Sequence, residues 1–338
     1  LIEAQDALTN SGRIAGDTNV NVAARDVVNT GAIASVGSLV SGGSAGPENS
    51  QGGQGIRGNV VVRAARDVVN LGGEIAGRGV DIRAGRDVVV GSKTRRIAQA
   101  SGRAGQTNAV SNTLIDGAGA IHADEALQLV AQRDAKLEGA QVSAGGDAQM
   151  AAGRDVVIGA TALEHTFGSR GDGAGGAGSV VDATGWTERR EHLGTSIDAQ
   201  GSVTVVAGRD AALLGSTLAS GGDTTVAAAR DVTVGAVKDT HRFEGKSFGG
   251  TLKHTTDAYH ETVRGSEVQA GGDISFGAGQ AQAVTQVLDT LGVTAYVDTD
   301  SSSGSDSRAA SRSGELKVQG SYVNAGRQAG AADAQRRD

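Results

Sequence analysis

"AARDVVN" occupies residues 23–29 and recurs letter for letter at 64–70. Variants follow as "AGRDVVV" at 84–90, "AGRDVVI" at 152–158, "AGRDAAL" at 207–213 and "AARDVTV" at 228–234. With a further step at 133–134, the aspartates are Asp26, Asp67, Asp87, Asp134, Asp155, Asp210 and Asp231. Seven copies of one catalytic dipeptide are implausible, so the step marks a repeated structural task. The shortest separations are 20 or 21 residues, and the longer ones are that unit plus an insertion. An eighth copy at 265–281 has lost the Arg-Asp but keeps the surrounding pattern.

Within a unit the apolar positions alternate. They read Val60, Val62, Ala64, then Val80, Ile82, Ala84, then Leu127, Leu129, Ala131, with Val203, Val205, Ala207 and Thr224, Val226, Ala228 later. A period of two is a strand with one buried face. After the step the pattern resumes, as in Val88 and Val90 or Val156 and Ile158. Unbroken alternation would drive each arginine into the core, which is too costly for an unpaired guanidinium. The chain must therefore bend at Arg-Asp, with the carboxylate accepting backbone N–H groups there. Glycine-rich corners such as "SAGGD" at 143–147 and "SGGD" at 220–223 add a second bend per unit. The first copy departs from this pattern, with Asn19 and Asn21 where valine is expected.

Two or three short strands per unit, with no helical period, predict an all-β parallel β-helix. Eight or nine stacked rungs at about 4.8 Å each give a rod of about 40 Å. The composition agrees: 54 glycines, one proline and 2 % aromatics suit a solenoid better than an ordinary globule. A net charge of −7 argues against nucleic acid. No apolar run is long enough to span a membrane. The N-terminal residues read as the middle of a repeat, so the expectation is one β-helical segment over 1–338, cut from a longer chain.

The repeated "AGRDV" units, together with a long insertion opening "TALEHTFGS" and closing "GWTERREHLGTSIDAQGS", resemble the haemagglutinin repeats of bacterial exoproteins. The likeness is clearest from Ile75 to Gln280. It is to filamentous haemagglutinins and contact-dependent growth inhibition effectors. The resemblance implies a right-handed β-helical shaft, two-partner secretion through an outer-membrane transporter, display on the surface of a Gram-negative cell, and a receptor or glycan on a target cell. It supplies no catalytic residues and no cofactor.

Five insertions, at about 34–57, 91–116, 160–193, 236–264 and 282–314, interrupt the rungs, and solenoid loops commonly carry binding specificity. The first reads as a flexible loop. The second holds Lys93, Arg95, Arg96 and Arg103, a basic patch suited to an acidic partner or simply a solvated loop. The third and fourth predict two projecting hairpin arms, the latter turning near Gly249 and Gly250. These arms carry the candidate contact residues Trp186, Phe167, Phe243, Phe248 and Tyr259, each of which could equally pack arm against shaft. They also carry His165, His192, His241, His254 and His260, for which Zn²⁺ binding across a hairpin is a minor reading.

Sharper motifs fail. "HETVR" at 260–264 has Arg264 where a zinc-binding histidine would stand. "DTDSSSGSD" at 298–306 lacks the terminal glutamate of a calcium loop. "RGD" at 170–172 reads as a coincidental triplet in an exposed loop. The expected function is a non-enzymatic, monomeric stalk or adhesin segment; the rival is a β-helix that binds or cleaves polysaccharide.

Overall fold

The computed structural model of the chain describes residues 1–35, 58–103, 106–175, 179–249, 252–295, 314–326 and 329–333. Most of the first insertion and the 298–306 stretch lie outside these residues. The described chain is almost all β and forms three parallel sheets, an arrangement consistent with a β-helix. Each rung contributes one strand to each sheet, as in 60–64, 68–71 and 74–77, followed by 80–84 in the next rung. The Arg-Asp step is the bend between the first and second sheets.

Like residues stack on like. Val62, Ile82, Leu129, Met150, Val205, Val226 and Phe276 form one column through consecutive registers, all buried. Beside it runs an alanine column of Ala64, Ala84, Ala131, Ala152, Ala207 and Ala228, where the chain turns into the corner. Removing a buried Leu or Ile from such a column costs roughly 2–5 kcal/mol.

The first rung explains its irregular sequence. Val20, Val22 and Ala24 pair with Val60, Val62 and Ala64, so the apolar face is kept and the corner is one residue shorter. Asn21 faces solvent, and Asn19 accepts the Asn59 N–H at 2.8 Å. In the second sheet Asn10, Asn29 and Asn70 form a buried amide ladder, with Nδ2 to Oδ1 distances of 2.8 and 2.7 Å. From Val90 onward the same column is aliphatic.

The Arg-Asp step does more than bend. Each arginine reaches back to the aspartate of the preceding rung: Arg66 to Asp26, Arg86 to Asp67, Arg133 to Asp87, Arg154 to Asp134, Arg209 to Asp155 and Arg230 to Asp210. The Nε to Oδ1 distance is 2.7 Å in the last five and 3.0 Å in the first. The same Oδ1 accepts the N–H of the next aspartate at 3.3–3.4 Å. Two-pronged, charge-assisted bonds of this kind are stronger than neutral ones. The Arg66 guanidinium holds the Asp26 carboxyl below its ordinary range, and Arg86 does the same for Asp67.

Among the described residues one helix, 281–290, departs from the all-strand expectation. It lies in the fifth insertion and buries Val284 and Leu288 against Val130, Ala151 and Val206 on the outer side of the first sheet. Those positions should be polar by alternation, and their apolarity is the trace of this cover. Beyond the helix, Arg83 and Gln132 donate to the carbonyls of Leu291 and Gly292 at 3.2 and 2.6 Å.

Asp87→Asn should lower stability by about 1 kcal/mol through loss of the charged fork, and Asp87→Ala by more, because the Asp134 N–H loses its acceptor. Asp26 and Asp67 have lowered folded values, so their contribution is full above the ordinary carboxylate range. It disappears as pH falls through those lowered values, because the unfolded chain takes up protons first. Thermal melts from pH 7 to pH 2 should show this loss, and the Asp26→Asn/Asp67→Asn double variant should flatten it.

Candidate functional site

Three insertions leave the shaft at one corner, between the second and third sheets. The second insertion is not a loop but an antiparallel hairpin of strands 93–103 and 106–117. The third is built from 156–175 and 179–194, the fourth from 237–249 and 252–264. Strand 156–175 runs without a break from the second sheet into its arm, which makes the arm a continuation of the shaft. The three hairpins pair side by side into one six-stranded antiparallel sheet. The two separate arms expected from sequence are thus replaced by three joined ones.

Rung spacing accounts for the joining. The strands that feed the hairpins are the fourth, sixth and eighth of the second sheet. A hairpin is two strands wide, so one hairpin per two rungs matches the shaft's own ~4.8 Å repeat. The rungs between turn tightly on Gly72, Gly139 and Gly215, with φ of +71°, +60° and +58°. These glycines lack room as well as left-handed freedom. A Cβ on Gly72 would lie 2.8 Å from the Lys93 Cβ, and one on Gly215 would lie 2.5 Å from a Val237 methyl. Glycine is required there twice over.

The five aromatic candidates are divided between the two faces of the arm sheet. Residues opposite one another share a face, and neighbours along a strand alternate. Phe167 and Phe243 lie in one row with Val110 and Thr187. Trp186, opposite Gly168 and Glu244, is on the other face, as are Phe248 and Tyr259. All five are exposed, from 38 % at Phe243 to 61 % at Tyr259, so none is buried between arm and shaft. Local partners hold several of them. The Trp186 ring lies over Gly168, and Lys253 Nζ stands 5.6 Å from the Phe248 ring centre. Tyr259 donates to Glu261 at 2.9 Å, and Lys238 pairs with the same carboxylate at 2.8 Å. Lys238 first, then Tyr259, pulls the Glu261 carboxyl below its usual range.

The basic patch of the second insertion is dispersed. Lys93 and Arg95 both approach Asp116 at 3.5 Å, while Arg96, on the opposite face from Arg95, donates to Ser111 at 2.7 Å. The "RGD" triplet stands in strand 156–175 rather than in a loop, paired with 182–184. "HETVR" is likewise within a strand, 252–264. Among the described residues no three His, Asp or Glu side chains meet in a metal-holding group. His192 is tied to Asp239 at 2.9 Å and His165 to Asn112 at 3.3 Å. The rung-corner aspartates Asp26 through Asp210 carry the ladder, and Asp231 accepts the Glu315 N–H at 2.9 Å.

The family model for the Hemagglutinin repeat matches residues 91–167 and again 159–250. Each match begins at the glycine that ends a second-sheet strand and starts a hairpin, Gly91 and Gly159. The unit so recognised is a hairpin with its two rungs. No curated protein and no solved structure matches the chain.

Trp186 is the chain's single tryptophan, so its fluorescence reports the arm sheet while far-UV circular dichroism is dominated by the shaft. Trp186→Phe should leave the shaft melt unchanged. Gly215→Val, by contrast, should cost about 1–3 kcal/mol and disturb both signals, because strained corner and arm root are the same place.

Proposed function

Residues 91–250 belong to the haemagglutinin repeats of filamentous haemagglutinin-like exoproteins, and from this premise we propose that the chain is a non-enzymatic stalk segment of a two-partner-secreted surface protein. On this reading it is a right-handed β-helix of 20–21-residue rungs, secreted through an outer-membrane transporter and exposed at the cell surface. Its two working parts are distinct. The shaft supplies reach: nine rung spacings separate the ten strands of the first sheet, about 43 Å at ~4.8 Å each. The arm sheet supplies a broad lateral surface from which the stalk touches another cell or positions a distal adhesive or toxin module.

The observation that carries this reading is the continuous register of identical columns along the chain, joined to a side sheet that is open to solvent on both faces. Long range comes from stacking, and Phe167, Trp186, Phe243, Phe248 and Tyr259 stand exposed on the arms. A polysaccharide-cleaving β-helix would need acidic or basic catalysts clustered beside sugar-stacking rings. At Tyr259, the most exposed of the five arm rings, the neighbouring Glu261 is already engaged by Lys238 and Tyr259.

The test is a pair of variants in the full exoprotein. Replacing 93–116, 160–193 and 236–264 with tight glycine corners should preserve the parallel β signature and surface display yet abolish attachment to target cells. Removing one two-rung unit with its hairpin should shorten the stalk by about 10 Å with attachment retained. Attachment undiminished without arms would reduce the segment to a spacer, and turnover of acidic glycans by the purified chain would overturn the non-enzymatic assignment.

A further inference from the structure

One row of the arm sheet has a chemistry unlike the rest. In direct register across four consecutive strands stand His165, Arg189, His241 and His260, all on the face that carries Phe167 and Phe243. Adjacent strands are about 4.8 Å apart, so the row spans about 15 Å. One row nearer the shaft the character changes to Glu191, Asp239 and Thr262. A depression of about 340 Å³ is lined by Arg189, His241 and His260 on one side and by Glu191, Asp239 and Thr262 on the other.

We propose that this depression binds a phosphorylated sugar. The phosphate would sit on the cationic and imidazole row, and the sugar hydroxyls would donate to the acidic row. Arginine presents a planar fork suited to a phosphate oxygen pair, and His241 and His260 add ring N–H donors beside it. One Arg189 nitrogen already binds Glu191, which fixes the guanidinium and leaves its other N–H groups for a ligand. His241 carries no side-chain hydrogen bond among the described residues, and His260 has only a 3.3 Å contact with Thr262. The carboxylates are held in place rather than exhausted: Asp239 takes His192 at 2.9 Å and Arg264 at 3.6 Å. Asp239 Oδ1 also accepts the His192 backbone N–H at 2.8 Å and is filled, so the lone pairs left for a hydroxyl are on Asp239 Oδ2 and on Glu191. A free phosphate ion is far smaller than the depression, whereas a phosphate with one attached hexose fills much of it. The chain's net charge of −7 disfavours indiscriminate anion binding, so an anion held here is held locally.

The inference builds on the arm sheet as a contact surface, but its test needs no cells and fails independently of that reading. Imidazole resonances of the intact chain are followed during titration with glucose 6-phosphate, inorganic phosphate and glucose. Glucose 6-phosphate should produce saturable shifts at His241 and His260, leaving His122 on the shaft and His254 unmoved. Inorganic phosphate should bind at least about threefold more weakly, and glucose alone should give no shift. Arg189→Gln should reduce affinity about tenfold or more with Trp186 fluorescence unchanged. Three results would overturn the proposal: absence of saturable shifts at His241 and His260, uniform shifts of all histidines, or equal affinity for inorganic phosphate and the sugar phosphate. If the variant loses arm fluorescence, His241→Gln serves in its place.

Discussion

Backbone pairing along the shaft axis governs this molecule. Each strand must satisfy its N–H and C=O groups in the rung above and the rung below, and an unpaired buried backbone group is expensive. Rungs must therefore keep their strands in register, and corners can change by little, as in the one-residue-shorter corner after Ala24. Extra residues can leave only where the chain already bends, which is why every described hairpin departs from a single corner. The side-chain columns follow from the same rule: once registers such as Val62 opposite Ile82 are set, residues at equivalent positions have no choice but to stack.

The forked Arg-Asp contacts are a second consequence of stacking. Placing aspartate over aspartate would accumulate repulsion along the rod. Setting each arginine one rung back converts the column into alternating charge, with Asp26 and Asp67 both held in the ionised form. The contacts are partly exposed, and individual pairs of this kind contribute little. Their value is positional, since a fork that meets the wrong rung, or a corner with one residue too many, leaves a guanidinium and a backbone N–H without acceptors.

Much of the shaft was legible in sequence because its signals are local and repeated. Alternation in 60–64 and 80–84, Arg-Asp steps and glycine-rich corners each report one bend or one strand. The ladder's true partner was less visible, because the sequence places Arg66 beside Asp67 whereas the fold places it on Asp26. The hairpin over 93–117 was hidden for another reason. With both faces wet, "KTRRIAQASGR" needs no apolar alternation, and its lysine and arginines resemble an ordinary loop. The row of His165, Arg189, His241 and His260 lies in four different strands of two hairpins, spread over nearly a hundred residues, so only the pairing of hairpins with one another assembles it. The helix at 281–290 left a trace in Val130, Ala151 and Val206, outward positions that break the polar alternation.

That helix changes how the rod bears load. In a simple solenoid each repeat touches only its neighbours, and the array frays from its ends like a zip. Here a single amphipathic segment reaches over several windings at once, and its following residues are fastened to Arg83 and Gln132. Tension applied to either terminus would meet a brace laid across the grain, so the windings beneath it should yield together as one mechanical block.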